Sequence, residues 1–389
     1  MTRSVTGATV LTPDAALPDG TVVCDGSVVV DVLSPAARPR HTDAFLDASG
    51  LILAPGFIEL QINGGFGIDL TSDPGSIWQL GVRLVKLGIT AFLPTIVSSA
   101  LEVIAKARDV MRAGPPTGYR GAAALGLHLE GPFLSPAKRG AHALDRLRAP
   151  NAAETQDWSP AGGVAMVTLA PELPGARELV RDLADRGIVV SAGHSAADFT
   201  AGEAAIDAGV RYGTHLFNGM TGLDHRSPGL AAALLADERV TVGLIGDGIH
   251  VHPEMIRLAW RLAGPDRFSL VSDAMAGLGL PPGRFQLGGQ EVFVADSSAR
   301  LADGTLAGSV LPLDRGLRNL IAFTHCPPGL GLRAVTTVPA RLLRLADGRG
   351  VIRQGGRADF VLLTKRLEVV ATVTGGEIAY AAAGAPSWA

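Results

Sequence analysis

Glu130, His194, His215 and Asp273 each stand at or just past the C-terminal end of a short apolar run, over residues 123–130, 188–193, 210–215 and 268–273. Two imidazoles and a carboxylate around an open position form a common hydrolytic zinc set, because both ligand types suit zinc and the fourth site holds water. A metal held there would lower the pKa of water and polarise a carbonyl oxygen. Asp273, at the last strand end, is placed to take the water's proton and return it to a leaving nitrogen. Asp247 closes a further run, 240–247. Taken singly, each residue also reads as a rim histidine, an ion-paired carboxylate or a helix cap. Their joint placement at strand ends makes that reading much less attractive. His41, His225, His252 and His325 lack the pattern and read as surface or structural residues. His128, two residues before Glu130 on the same strand face, reads as structural.

The elements that must carry these residues follow from the patterning. Eight apolar runs, 54–61, 89–95, 123–130, 164–170, 188–193, 210–215, 240–247 and 268–273, alternate with helix-like stretches at 77–87, 101–113, 176–186, 198–208 and 253–262. That alternation predicts an α/β fold, a (β/α)8 TIM-like barrel over residues 54–335, with the polar strand ends gathered round one mouth. A doubly wound open sheet is the rival, but no Gly-rich dinucleotide turn follows the first run. Short β-like stretches at 21–23, 27–31, 358–363 and 369–373 predict a small β-sandwich domain built from both chain ends, 1–53 and 336–389.

Composition narrows the function classes. The 389 residues carry 34 basic and 37 acidic side chains, a balance that offers no footprint for nucleic acid. No apolar run reaches the roughly 18 to 20 residues that span a bilayer. With only two cysteines, Cys24 and Cys326, and no secretory leader pattern, a cytoplasmic location is expected.

The motifs themselves carry a resemblance. Pro55-Gly56-Phe57-Ile58-Glu59-Leu60-Gln61-Ile62-Asn63-Gly64 resembles the first-strand motif of the amidohydrolase superfamily. Gly126-Leu127-His128-Leu129-Glu130-Gly131-Pro132-Phe133, with Lys138-Arg139-Gly140-Ala141-His142 after it, is similar to one branch, the N-acetylglucosamine-6-phosphate deacetylases. The likeness continues through Ala192-Gly193-His194-Ser195, Thr214-His215-Leu216-Phe217-Asn218-Gly219-Met220 and Arg226-Ser227-Pro228-Gly229-Leu230. It extends over Asp247-Gly248-Ile249-His250-Val251, Val271-Ser272-Asp273-Ala274, Gly304-Thr305-Leu306-Ala307-Gly308-Ser309 and Pro339-Ala340-Arg341-Leu342-Leu343, covering nearly the whole chain in order.

The resemblance implies roles beyond those read from spacing. Glu130, His194 and His215 match metal ligands, and Asp273 matches the acid/base. Ala141 and His142 match contacts to the sugar and its acetamido group. Asn218 and Gly219 match a phosphate-side loop. Arg226 and His250 match a phosphate-binding pair reaching the site from a neighbouring subunit, which implies a homodimer. Leu306, Ala307 and Gly308 match a loop closing over substrate. Many superfamily members carry His-x-His at the first strand end and bind a second metal there. Gln61 and Asn63 stand at those positions and are poor ligands beside imidazole, so one divalent ion per subunit is expected. Zinc leads, with iron, manganese, cobalt or cadmium as alternatives. Leu223-Asp224 and Leu311-Pro312 depart from the branch pattern near the expected pocket rim.

The expected activity is hydrolysis of the acetamide of N-acetylglucosamine 6-phosphate to glucosamine 6-phosphate and acetate. Alternatives are an amidohydrolase acting on another N-acetyl sugar, an N-acyl amino acid or a cyclic amide, or a non-catalytic scaffold on the same barrel.

Overall fold

The computed structural model describes residues 1–13, 15–35, 37 and 42–388. His41, read from sequence as surface or structural, lies outside the described residues.

Eight parallel strands form the barrel: β1 (Phe57–Ile62), β2 (Ile89–Val97), β3 (Leu127–Glu130), β4 (Val164–Leu169), β5 (Val189–Ala192), β6 (Val210–Gly213), β7 (Thr241–Ile245) and β8 (Phe268–Val271). Each pairs in parallel with the next along the chain. Closure between β8 and β1 comes just beyond their ends, where Asp273 N–H donates to Gln61 O at 3.0 Å and Asn63 N–H to Ala274 O at 2.8 Å. Every residue of β1 and β2 is buried. Helices outside and side chains inside cover both faces of such strands, so they read as continuous apolar runs rather than alternating ones.

The covering helices show the complementary period. Ile77, Leu80, Gly81 and Leu84 form the buried stripe of Ile77–Leu84, and Ala176, Leu179, Val180 and Leu183 that of Ala176–Asp185. Asp198 caps Phe199–Ala208 by accepting Ala201 N–H at 2.8 Å.

Both chain ends enter one eight-stranded sheet, in the order Glu377–Ala381, Val369–Thr374, Phe360–Leu363, Ile52–Pro55, Thr2–Leu11, Ala16–Asp25 and Val28–Leu33, with Ala44–Asp47 also paired to Thr2–Leu11. Alternation along Phe360–Leu363 splits its side chains between two cores. Phe360 and Leu362 join Val5, Val22 and Leu53 within this sheet's own cluster, while Val361 and Leu363 join the barrel's cluster.

An element absent from the sequence reading follows β8. Gly283–Leu287, Gln290–Ala295 and Ser298–Arg300 form a three-stranded antiparallel sheet ahead of the helix Leu313–Thr324. Its first turn is tied down at two points, by Gly288 N–H donating to Asp69 Oδ2 at 3.0 Å and Gln290 Nε2 to Ala141 O at 2.7 Å.

Candidate active site

The four polar strand ends converge. Glu130 Oε1 lies 2.9 Å from His215 Nε2 and 3.3 Å from His194 Nε2, and the two histidine Nε2 atoms are 3.0 Å apart. Three of the four residues bend the chain inward through left-handed backbone, with φ of +47° at His194, +26° at His215 and +48° at Asp273. Non-glycine residues hold such φ values at a cost of order 1–3 kcal/mol, and they concentrate where a site needs a particular side-chain direction. Gly219 makes room for one of them. A Cβ at that position would stand 2.8 Å from His194 Nδ1, and its own φ is +60°.

The donor set fits a cation. His194 Nδ1 lies 2.9 Å from the carbonyl oxygen of Lys138, which can only accept, so Nδ1 carries the hydrogen and Nε2 turns a lone pair inward. That lone pair meets the Glu130 carboxylate and His215 Nε2, within a set of ligand atoms all lying inside 4.8 Å of one another. Convergent lone pairs of this kind repel unless a positive charge sits between them. Burial works against the charged form of Glu130, yet the flanking His194 and His215 rings hold its carboxyl well below the usual range.

Asp273 is held by the first strand. Asn63 Nδ2 donates to its Oδ1 at 2.7 Å, and Gln61 Nε2 donates both to the same oxygen at 3.1 Å and to Glu130 Oε1 at 2.9 Å. The amides at positions 61 and 63 thus act as donors to two carboxylates. Burial, reinforced by the nearby Glu130 charge, pushes Asp273 up to about 6, and His215 and the Asn63 hydrogen bond work the other way. A carboxylate poised in that range suits proton transfer near neutral pH.

His142 is poised as a neutral donor. Ser98 N–H donates to its Nδ1 at 3.3 Å, so the ring hydrogen sits on Nε2, which lies 3.9 Å from Glu130 Oε2. Burial, then the neighbouring His194, pushes its pKa down to about 3. His128 points elsewhere in the barrel interior, with Nδ1 donating to Leu60 O at 3.1 Å and Nε2 2.7 Å from Thr168 Oγ1. His252 caps Pro253–Ala263 by accepting Glu254 N–H, and His325 ends Leu313–Thr324 in left-handed conformation.

Above this floor opens a cavity of about 200 Å³. Of the residues singled out in the sequence, Asn63, Glu130, Ala141, His142, His194, His215, Asn218, Gly219, His250, Asp273, Leu306 and Gly308 line it. Ala307 does not; it is fully buried in a cluster with Val97, Met275 and Leu287. Gln61 lies beneath the lining, acting through Glu130 and Asp273.

The expected phosphate pair separates. His250 was expected from a neighbouring chain, but the turn after β7 folds it back to line the cavity of its own chain. Arg226 is exposed, is not among the described lining residues, and its Nε donates to His225 Nε2 at 2.9 Å. Asp224, one of the departures from the branch pattern, shapes the Arg226 loop by accepting Arg226 and Ser227 N–H at 2.9 and 2.8 Å. Leu311 is buried and Pro312 starts the helix Leu313–Thr324.

Val97, Gly140, Ile245, Leu287 and Thr305 also line the cavity and were not singled out. For Leu287 a signal existed, since two β-like stretches flank Gly288-Gly289, a hairpin pattern.

A parallel barrel with a cation cage and a carboxylate at its C-terminal mouth defines a class of metal-dependent hydrolases. The chain belongs to the amidohydrolase family, whose sequence profile matches residues 52–379. It is 43% identical over 359 residues to N-acetylglucosamine-6-phosphate deacetylase of Homo sapiens, covering 88% of this chain and 87% of the human one. It is 33% identical over 378 residues to the deacetylase of that name from Bacillus subtilis, covering 95% of each. The crystal structure of N-acetylglucosamine-6-phosphate deacetylase from Pasteurella multocida superposes with a TM-score of 0.92 at 30% identity, over 98% of this chain and 100% of that one.

Proposed function

We propose that this chain hydrolyses the acetamide of N-acetylglucosamine 6-phosphate, releasing glucosamine 6-phosphate and acetate. The observation that carries the reading is a cation cage beside Asp273 at the floor of a cavity, in a chain 43% identical to a deacetylase of that name. Glu130, His194 and His215 hold one divalent ion, with zinc the first candidate for a His2Glu set. When bound, that ion supplies a Lewis acid for the carbonyl oxygen and for water.

The chain's own groups move the proton. Asp273, fixed by the Asn63 and Gln61 amides, accepts a proton as water attacks the acetamide carbon, then delivers it to the departing amine. His142, neutral with its hydrogen on Nε2, donates to the oxygen that gains negative charge. His250 meets the phosphate from within the same chain, beside the loop of Asn218 and Gly219. Arg226, whose planar guanidinium can grip phosphate through paired hydrogen bonds, reaches the cavity of a second copy, so the working unit is a homodimer. Both cysteines are free and buried, which fits a reducing cytoplasm.

A deacetylation assay on N-acetylglucosamine and its epimer, each with and without the 6-phosphate, tests the reading. Activity should be highest on N-acetylglucosamine 6-phosphate, and preference for an unphosphorylated sugar would overturn it. Metal analysis should find one ion per chain rather than two.

A further inference from the structure

Asp247 stands two residues beyond β7 and has no part in the chemistry described above. Its carboxylate is engaged by three donors. Oδ1 accepts Ile249 N–H at 2.8 Å and His250 N–H at 2.9 Å, while Oδ2 holds His250 Nδ1 at 2.6 Å. Gly248, at φ +77°, lets the chain turn tightly enough for one side chain to reach all three. The His250 and Asp247 side chains are only 5% and 7% exposed, yet His250 lines the cavity. Burial disfavours charge on Asp247, but the bond to His250 and the backbone donors outweigh it and hold the carboxyl below its usual range. An ionised carboxylate only accepts, so Nδ1 carries a hydrogen and Nε2 is the nitrogen left for a ligand.

We infer that Asp247 is the positioning residue for phosphate recognition, fixing His250 so that Nε2 faces the phosphoryl end of the substrate. The inference rests on the reading that His250 meets the phosphate. A neutral ring with its hydrogen on Nδ1 would aim a bare lone pair at phosphate oxygens. Only imidazolium donates at both nitrogens, and an imidazolium flanked by two anions is the arrangement favoured by charge-assisted hydrogen bonds. Asn at position 247 would keep an oxygen for the turn's N–H groups but present an amide N–H to Nδ1. The ring would then accept there, losing the charge-assisted bond that fixes it, and would be a weaker partner for phosphate.

The test is kcat and KM for N-acetylglucosamine 6-phosphate and for N-acetylglucosamine in the wild type, Asp247→Asn, His250→Gln and the double variant. Asp247→Asn should cut the preference for the phosphorylated sugar about tenfold, the scale of one charge-assisted hydrogen bond, with the loss in KM. In the His250→Gln background the same change should add nothing. Equal losses on both sugars, or additive losses in the double variant, would overturn the inference by showing a merely structural Asp247. A wild type without preference for the phosphorylated sugar would instead overturn the phosphate reading itself. Asp247→Ser, whose hydroxyl still serves the turn, carries the same test if the Asn variant does not fold.

Discussion

At the floor of the cavity, Glu130, His194, His215 and Asp273 hang from the ends of buried barrel strands and are themselves between 2% and 8% exposed. At its rim, Asn218, Leu306 and Gly308 sit half-buried on loops, and Arg226 is exposed. Strands locked by parallel ladders on both sides hold the first set in fixed mutual positions, which proton transfer and cation binding demand. The second set is held by turns such as the one Asp224 makes, and these can differ without disturbing the floor. Damage to the floor should therefore fall on turnover, and damage to the rim on affinity.

The sharpest way to break that division is Asp273→Asn. It keeps the shape and one oxygen for the Asn63 amide while removing the proton acceptor, so kcat should fall by about 10³ or more with metal content unchanged. Retained turnover would break the assignment of Asp273. His194→Ala should do something different at the same floor, losing the metal and the activity together. Chelation of the wild type should mimic it, lowering the thermal midpoint by several degrees, and re-addition of zinc should restore both. Elemental analysis beside the melting curves separates the two variants.

At the rim, Arg226→Gln should raise KM for the phosphorylated sugar about tenfold or more and leave kcat within a few fold. Co-expression with Asp273→Asn sharpens the comparison. If Arg226 serves the neighbouring copy, a mixed dimer has one cavity with Asp273 intact and a wild-type Arg226 facing it. Low-KM activity should then reappear, although neither variant alone has it. No rescue in verified mixed dimers would mean that Arg226 does not act across copies.

The same contrast decides what was legible in the sequence. The barrel and its floor were readable because strand ends are marked by the close of an apolar run, and the topology of a (β/α)8 fold then brings distant ends together. The inward bends at His194, His215 and Asp273 follow no such rule and emerged only in three dimensions. Rim residues were reached through resemblance, which gives identity without direction. Ala307 is buried off the cavity lining, and His250 proved to line its own chain's cavity. The hairpin carrying Leu287 was missed although Gly288-Gly289 announced it, since expectation ran to helices between barrel strands.

The last expected effect lies beneath the floor and falls on stability rather than on turnover or affinity. Glu59 is fully buried inside β1, its Oε1 accepting Gln61 N–H and its Oε2 accepting Ser272 N–H, each at 3.0 Å, so it stitches β1 to β8 just below Asp273. Burial raises its pKa from the ordinary 4.5 to about 8, against the pull of the Ser272 and Gln61 hydrogen bonds. The folded state therefore holds a proton that the unfolded chain releases near 4.5. Stability from this group is full below that value and is lost as pH rises through about 8, at no more than about 1.4 kcal/mol per pH unit. Glu59→Gln removes the titration while keeping one acceptor oxygen. The stability difference between wild type and variant, from urea unfolding at closely spaced pH values, should shrink steadily from pH 5 to 8 and level off beyond. A difference that stays constant across that window would mean Glu59 is already ionised in the fold, and that the floor tolerates a second buried negative charge beneath Asp273.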